Sequence, residues 1–346
     1  MNQAVRNAML SRQGLIRPFD KAEYDAYFRD QSPAMTKYWT MPGDPPLFTL
    51  RADFDERRHV DQLRSNRTIV KGRFVKGNVG YVFSDELAHF KALYQKPIPR
   101  IGGLEWKLLE LLRHEEALSI GQIKEITGLL AKDIAPLLHR LQEAFLVYED
   151  QRDGDWERRF FLFESEFPDQ AEQTISFGDA LDKALKRSLN RLVWADDAML
   201  SALLGIPKKT ILEGLLRLEA RGLVWNHVSG WILEADRGLV SLDSPNLRTT
   251  HCLHRNDPIV RACQPHFAKR KKIEGADLLY HILLDGAFAG YVRGHFKNGP
   301  FVFEAFVLEA GTVLDAKRKD ELEEALYKID QDFRVGSIPF VFEDLE

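Results

Sequence analysis

At 346 residues, with 45% hydrophobic and 29% charged side chains, the chain is long and apolar enough for two or three packed domains. No run approaches the roughly 18–20 apolar residues of a membrane span, Met1 to Arg12 lacks the apolar stretch of a secretion signal, and Cys252 and Cys263 make no disulfide framework, so a reducing cytoplasm is the expected home. A formal net charge of −4 and a pI near 6.2 count against a protein that is basic all over, and leave any nucleic-acid binding to local basic faces.

The N-terminal segment, residues 1–98, is mixed. Helices are expected over Ala4 to Leu15 and Lys21 to Phe28. Ser32 to Pro46 is rich in Pro and Gly and reads as a loop. A polar helix over Asp53 to Leu63 follows. Two strand-like runs, Arg67–Val75 and Val79–Phe83, are joined by Lys76, Gly77 and Asn78, a hairpin signal. Arg64, Arg67, Lys71, Arg73 and Lys76 make this hairpin basic, which suits either a solvated edge or a phosphate contact.

An internal repeat comes next. Ser119 to Val147 aligns with Asp196 to Val224 without a gap, at an offset of 77 residues (119 to 196, 147 to 224). Ile123 falls on Leu200, Gly128 on Gly205, Ile134 on Ile211, Leu138 on Leu215 and Leu141 on Leu218. Ser119 and Asp196 are N-cap residues, because their side-chain oxygens can accept from a first-turn N–H. Gly128 and Gly205 stand where the turn needs positive φ. A second helix is expected over Lys132–Glu143 in one copy and Pro207–Ala220 in the other. Each copy then has a strand, a turn and a strand: Leu146–Glu149, Asp150–Asp155 and Arg158–Glu164, against Leu223–His227, Ser229–Gly230 and Trp231–Glu234.

Helix, turn, helix and hairpin together make a winged helix, whose second helix commonly enters the major groove. The segments 99–168 and 169–240 are therefore expected to be tandem winged-helix units, with the basic hairpin near the N-terminus completing a third. In the second copy Lys208, Lys209 and Thr210 open the second helix, where backbone N–H groups favour phosphate, and Arg217 and Arg221 add charge. In the first copy Lys132, His139 and Arg140 are offset by Asp133 and Glu143. The second copy is the expected DNA reader.

Residues 241–346 read as β-rich, with strands over Leu278–Leu284, Phe288–His295 and Phe301–Leu308, a hairpin turn at Asp285–Gly286 and a helix over Asp315–Ile329. The run Lys269, Arg270, Lys271, Lys272 is the densest basic cluster, a soluble loop or a phosphate contact. His251, Cys252 and His254 lack the further ligands of a tetrahedral zinc site, so no metal is expected. No phosphate loop, dinucleotide fingerprint or nucleophile triad is present, and no cofactor is expected. The fold class is α+β: tandem winged-helix units scaffolded by a C-terminal β-rich domain.

The order of these parts resembles the AlkZ/YcaQ-type DNA glycosylases, which excise alkylated bases and interstrand crosslinks. The resemblance runs from Met9–Leu15 (MLSRQGL) through Leu47–Arg51 (LFTLR), Ile69–Arg73 (IVKGR) and the two repeats to Asn256–Ala262 (NDPIVRA) and Leu284–Gly290 (LDGAFAG). It implies double-stranded DNA as partner and a catalytic motif of Gln, an apolar residue, then Gln or Asp, shortly after the second helix. Here that place holds Gln31, Ser32 and Pro33. Gln31 matches the first position; Pro33 stands where the second polar group belongs, and its side chain can neither polarise water nor accept a bond. Asp30 and Asp44 lie nearby as carboxylates out of register.

Excising an N7-alkylated purine breaks a bond to a cationic leaving group through an oxocarbenium-like sugar, as in glycoside hydrolysis. Such chemistry needs a held water and a group that stabilises the sugar's positive charge, rather than a strong acid. In this chemistry Gln31 would hold the water and Asp30 would accept its proton; the alternatives are a surface amide or helix C-cap for Gln31 and a helix-end or solvent residue for Asp30. Three readings stay open on the sequence: a glycosylase of alkylated DNA, a non-catalytic winged-helix DNA binder or regulator, and a winged-helix scaffold for protein partners. A monomer is expected, since the repeat itself supplies two DNA-facing helices.

Overall fold

The computed structural model describes residues 2–35, 48, 50–150, 157–267, 276–296, 301–330 and 333–344. In chain order, α1 (Gln3–Arg12) and α2 (Lys21–Gln31) lead to the short strand β1 (Ala34–Met35), then α3 (Glu56–Ser65), the hairpin β2 (Ile69–Arg73) and β3 (Val79–Phe83), and α4 (Leu87–Tyr94). The first repeat follows: α5 (Gly103–Glu115), β4 (Leu118–Ser119), α6 (Ile120–Thr127), α7 (Ala131–Glu143), β5 (Val147–Asp150) and β6 (Arg159–Leu162). After α8 (Phe163–Glu166) and α9 (Pro168–Glu172) comes the second: α10 (Phe177–Leu192), β7 (Trp194–Ala195), α11 (Asp197–Leu204), α12 (Lys208–Ala220), β8 (Val224–His227) and β9 (Gly230–Leu233). The chain continues with β10 (Thr250–His254), α13 (Pro258–Cys263), β11 (Asp277–Leu284), β12 (Ala287–Phe296), β13 (Phe301–Glu309), α14 (Ala316–Ile329) and β14 (Phe340–Glu343). The fold is α+β.

The offset of 77 holds to the residue through the matching elements: α6 to α11 (120 to 197), α7 to α12 (131 to 208) and β5 to β8 (147 to 224). The local chemistry is as the sequence implies. Ser119 forms a capping box, its hydroxyl accepting from Gln122 N while the Gln122 side chain accepts from Ser119 N. Asp196 accepts from Met199 N at 2.8 Å. Gly128 and Gly205 end their helices at φ 70° and 67°. Ser119→Ala should cost about 1 kcal/mol, the usual worth of such a cap, and Ser119→Asp should retain most of it; urea midpoints check both.

One feature of each repeat was not expected from the sequence. The two-residue strands β4 and β7 pair with the second hairpin strand, giving the orders β4-β6-β5 and β7-β9-β8. The N-terminal region has the same order, β1-β3-β2. In all three a helix precedes the short strand: α2, α5 and α10.

The second hairpin turns at Val228–Ser229, both at positive φ (49° and 60°), one residue earlier than expected. Gly230 lies within β9, where a Cβ would stand 2.3 Å from the Trp194 ring, so this glycine serves close packing and not the turn. Other boundaries move by a few residues. The first helix ends at Arg12 because Gly14 adopts φ 66°, α2 runs on to Gln31, and α3 starts after its cap at Asp55. Asp285–Gly286 turns as expected, at φ 52° and 76°. The expected turn at Asp150–Asp155 lies outside the described residues beyond Asp150.

By its contacts the chain divides into two units that interleave in sequence. One comprises 1–27, 48–54 and 185–346, the other 28–47 and 55–184. In the first, an antiparallel run β10-β11-β12-β13 is closed by parallel β14. Leu322 and Leu326 of α14 pack with Leu279, Ile282, Val292 and Phe306 of that sheet. In the second, α5, α6 and α7 bury Leu108, Leu112, Ile123, Ile134, Leu138 and Leu141 against Phe160 and Leu162. A second core in this unit joins Val70, Phe74, Val82, Phe90, Phe145 and Phe163.

Candidate active site and nucleic-acid interface

Gln31 is the last residue of α2 and is only 5% exposed. Its Nε2 has no hydrogen-bond partner among the described residues. Leaving a buried donor unpaired costs about 1–3 kcal/mol, so the position asks for an acceptor from water or a ligand. Asp30 beside it is half-buried. Ser32 Oγ donates to Phe28 O at 2.8 Å and closes the helix end. Pro33 is buried; a Cβ on Gly80 would meet it at 3.0 Å, so the ring packs on the β3 backbone and brings no polar group. Asp44 lies outside the described residues.

The basic hairpin is less free than its sequence suggests. Lys71 Nζ lies 2.8 Å from Glu149 Oε1, with the lysine side chain only 13% exposed. Gln142 Nε2 donates to the other Glu149 oxygen at 2.8 Å, and Arg73 Nε donates to Gln142 Oε1 at 3.0 Å. Burial would raise the Glu149 carboxyl, but the Lys71 charge and the bonds from Lys71 and Gln142 outweigh it and hold it at about 2. These groups surround a small apolar hollow lined also by Phe74, Phe145 and Phe163. Arg67 pairs with Glu166 and lies 3.6 Å from Asp150, while Lys76 at the hairpin turn is exposed. No sequence signal marked Glu149, Gln142 or Glu166 as partners, because each lies about 70 or more residues away along the chain.

In the other unit, Lys208 and Lys209 are exposed and Thr210 is half-buried at the start of α12; Arg217 is exposed farther along it. Lys208 Nζ is 3.5 Å from Asp197. Lys269, Arg270, Lys271 and Lys272 lie outside the described residues. Among the described residues no group of three or more His, Cys, Asp or Glu side chains could hold a metal ion. No helix is long and apolar enough to cross a membrane, again among the described residues.

His251 lines a cavity of about 440 Å³ with Leu15, Ala52, Thr250 and Glu321. Burial, helped by the Arg51 charge and opposed by a bond to the Leu15 backbone, pushes its imidazole down to about 4. This His is therefore neutral in the fold at pH 7. Its folded value lies below its ordinary 6.5, so its contribution is complete above pH 6.5 and is lost as pH falls from 6.5 to 4. The loss should reach about 3 kcal/mol. Comparing wild type with His251→Asn in chemical unfolding at pH 7 and pH 4 isolates it; an equal pH dependence of the two would show that His251 does not titrate this way.

The described elements make an α+β fold in which three helix-and-hairpin modules accompany a five-stranded sheet. That fold has a counterpart of known structure. The Streptomyces sahachiroi DNA glycosylase AlkZ superposes with a TM-score of 0.70 over 99% of this chain and 100% of its own, at 13% identity. At that identity the likeness is one of fold. The sequence itself matches no family model and no curated protein.

Proposed function

We propose that this protein binds double-stranded DNA and hydrolyses the N-glycosidic bond of alkylated bases, with Gln31 holding the attacking water. The observation that carries the reading is the buried Gln31 amide, whose Nε2 has no partner among the described residues. The fold shared with a DNA glycosylase supports it. Water oxygen bonds to the sugar C1′ as the C1′–N bond breaks, its electrons leave with the base, and the water's proton passes to Asp30 or to solvent. Gln31 Nε2 donates to the water and orients it, and the carbonyl end of the amide dipole favours the cationic sugar in the transition state.

In this proposal the helix-and-hairpin modules are winged helices. α12 is the DNA-facing helix, with Lys208, Lys209, Thr210 and Arg217 against phosphate. Of the basic hairpin, Lys76 is the residue most open to phosphate, while Lys71 and Arg73 shape the hairpin from within. A protein of this kind works on the nucleoid, as a monomer and without a metal or cofactor. Duplex affinity should fall steeply with salt, and Lys209→Ala and Arg217→Ala should each lower the log–log slope by about 1. Unchanged slopes would remove α12 from the interface.

Pro33 favours a second reading, a DNA-binding protein without catalysis, because the expected second polar group is replaced by a buried ring. A duplex carrying a single N7-alkylguanine separates the two. An alkali-labile abasic site supports the glycosylase; tight binding that leaves the base in place supports the second reading.

A further inference from the structure

We infer that Arg29 is a positioning residue for Gln31, an inference that rests on the proposed role of Gln31. The end of α2 is fixed on both sides of Gln31. Before Gln31, two side chains grip the end of β3. Phe28 sets its ring edge-on to Phe83 at 5.6 Å and 90°, and the Arg29 guanidinium lies 3.8 Å from the centre of the same ring. Arg29 Nη1 also donates to Asp85 Oδ1 at 2.7 Å and stands 3.7 Å from Glu86 Oε2. Glu86 is buried, and its other oxygen accepts from Lys183 Nζ at 2.8 Å. After Gln31, Ala34 pairs with Tyr81 and Met35 with Gly80. The backbone of Gln31 is thus held from both sides by one strand.

Two residues apart on a helix, Arg29 and Gln31 point about 160° away from each other. Arg29 therefore does not touch the amide. It blocks rotation of the last helical turn, which would swing Gln31 out of its buried setting. A planar, forked guanidinium suits this task, because it stacks on a ring while bonding in its own plane. Lysine can keep the charge but not both contacts.

The test follows the Gln31 side-chain amide directly in the full chain, using ¹⁵N-glutamine labelling with the resonance pair assigned by its loss in Gln31→Ala. In wild type the pair should be dispersed and slow to exchange with solvent. In Arg29→Met and Arg29→Lys it should move to the position of an exposed glutamine and exchange at least about 10-fold faster. Asp85→Asn, at an exposed carboxylate, should shift it part of the way, and serves if the Arg29 variants do not fold. In parallel, base excision by Arg29→Met should fall on the order of 10- to 100-fold in kcat with KM for the duplex unchanged. An unmoved Gln31 amide in folded Arg29→Met, or in Asp85→Asn if the former does not fold, would overturn the inference. A wild type without excision activity would instead count against the glycosylase reading, and the amide measurement would still decide the role of Arg29.

Discussion

Arg51→Ala should destabilise the unit that contains it by about 3–5 kcal/mol. Arg51 has no exposed surface. Its Nη1 lies 2.8 Å from Asp257 Oδ2, and its Nε donates to the Gln13 carbonyl at 2.8 Å. Asp257 uses its other oxygen to cap α13, accepting from Ile259 N at 3.0 Å. The Gln13 side chain in turn accepts from Tyr27 OH at 2.8 Å and donates to Arg191 O at 3.1 Å. Truncating Arg51 strands a buried carboxylate and opens a cavity, and the remaining groups cannot reach water to recover the loss. In a unit of this size the melting temperature should drop on the order of 10 °C. Arg51→Met/Asp257→Asn should recover most of it, since the cost lies in the unpaired charge while asparagine keeps the cap. A double variant as unstable as Arg51→Ala would show that packing, not charge, dominates.

Much of the fold was legible because it is local. Apolar spacing marked the repeat, and caps at Ser119 and Asp196 and glycines at 128 and 205 marked where its helices begin and end. The Val79–Phe83 strand and the Asp285–Gly286 turn were equally plain. What the sequence hid is pairing at a distance. Lys71, Arg73 and Arg67 look like a free basic edge until Glu149, Gln142 and Glu166 are brought beside them. Arg51 looks like an ordinary surface arginine until Asp257, about 200 residues on, meets it in the interior. The short strands β1, β4 and β7 have only two residues each, too few to show a period of two. The turn at Val228–Ser229 was misplaced because Gly230 is the usual turn residue, and its packing role against Trp194 is invisible in one dimension.

The candidate site divides in the same way. The resemblance pointed to Gln31, but neither its burial nor the Nε2 without a partner among the described residues could be read from the chain, because both are set by how the folded chain packs around the end of α2. Pro33 was legible as a missing polar group; its packing on Gly80 was not.

Gln31→Ala should leave the fold and duplex affinity nearly unchanged while lowering the excision rate on the order of 100-fold or more, the usual cost of losing one preorganised polar group. Removing a buried amide whose Nε2 has no partner among the described residues should not cost stability, and a small gain is the physical expectation. Single-turnover excision from a duplex with one N7-alkylguanine, run with enzyme in excess, reads the chemical step apart from binding. A wild type that leaves an abasic site, beside a Gln31→Ala variant that binds equally well and does not, is the predicted result. Equal rates in the two proteins, or no abasic product from a wild type that binds the duplex, would contradict the assignment of Gln31 as the water-holding group.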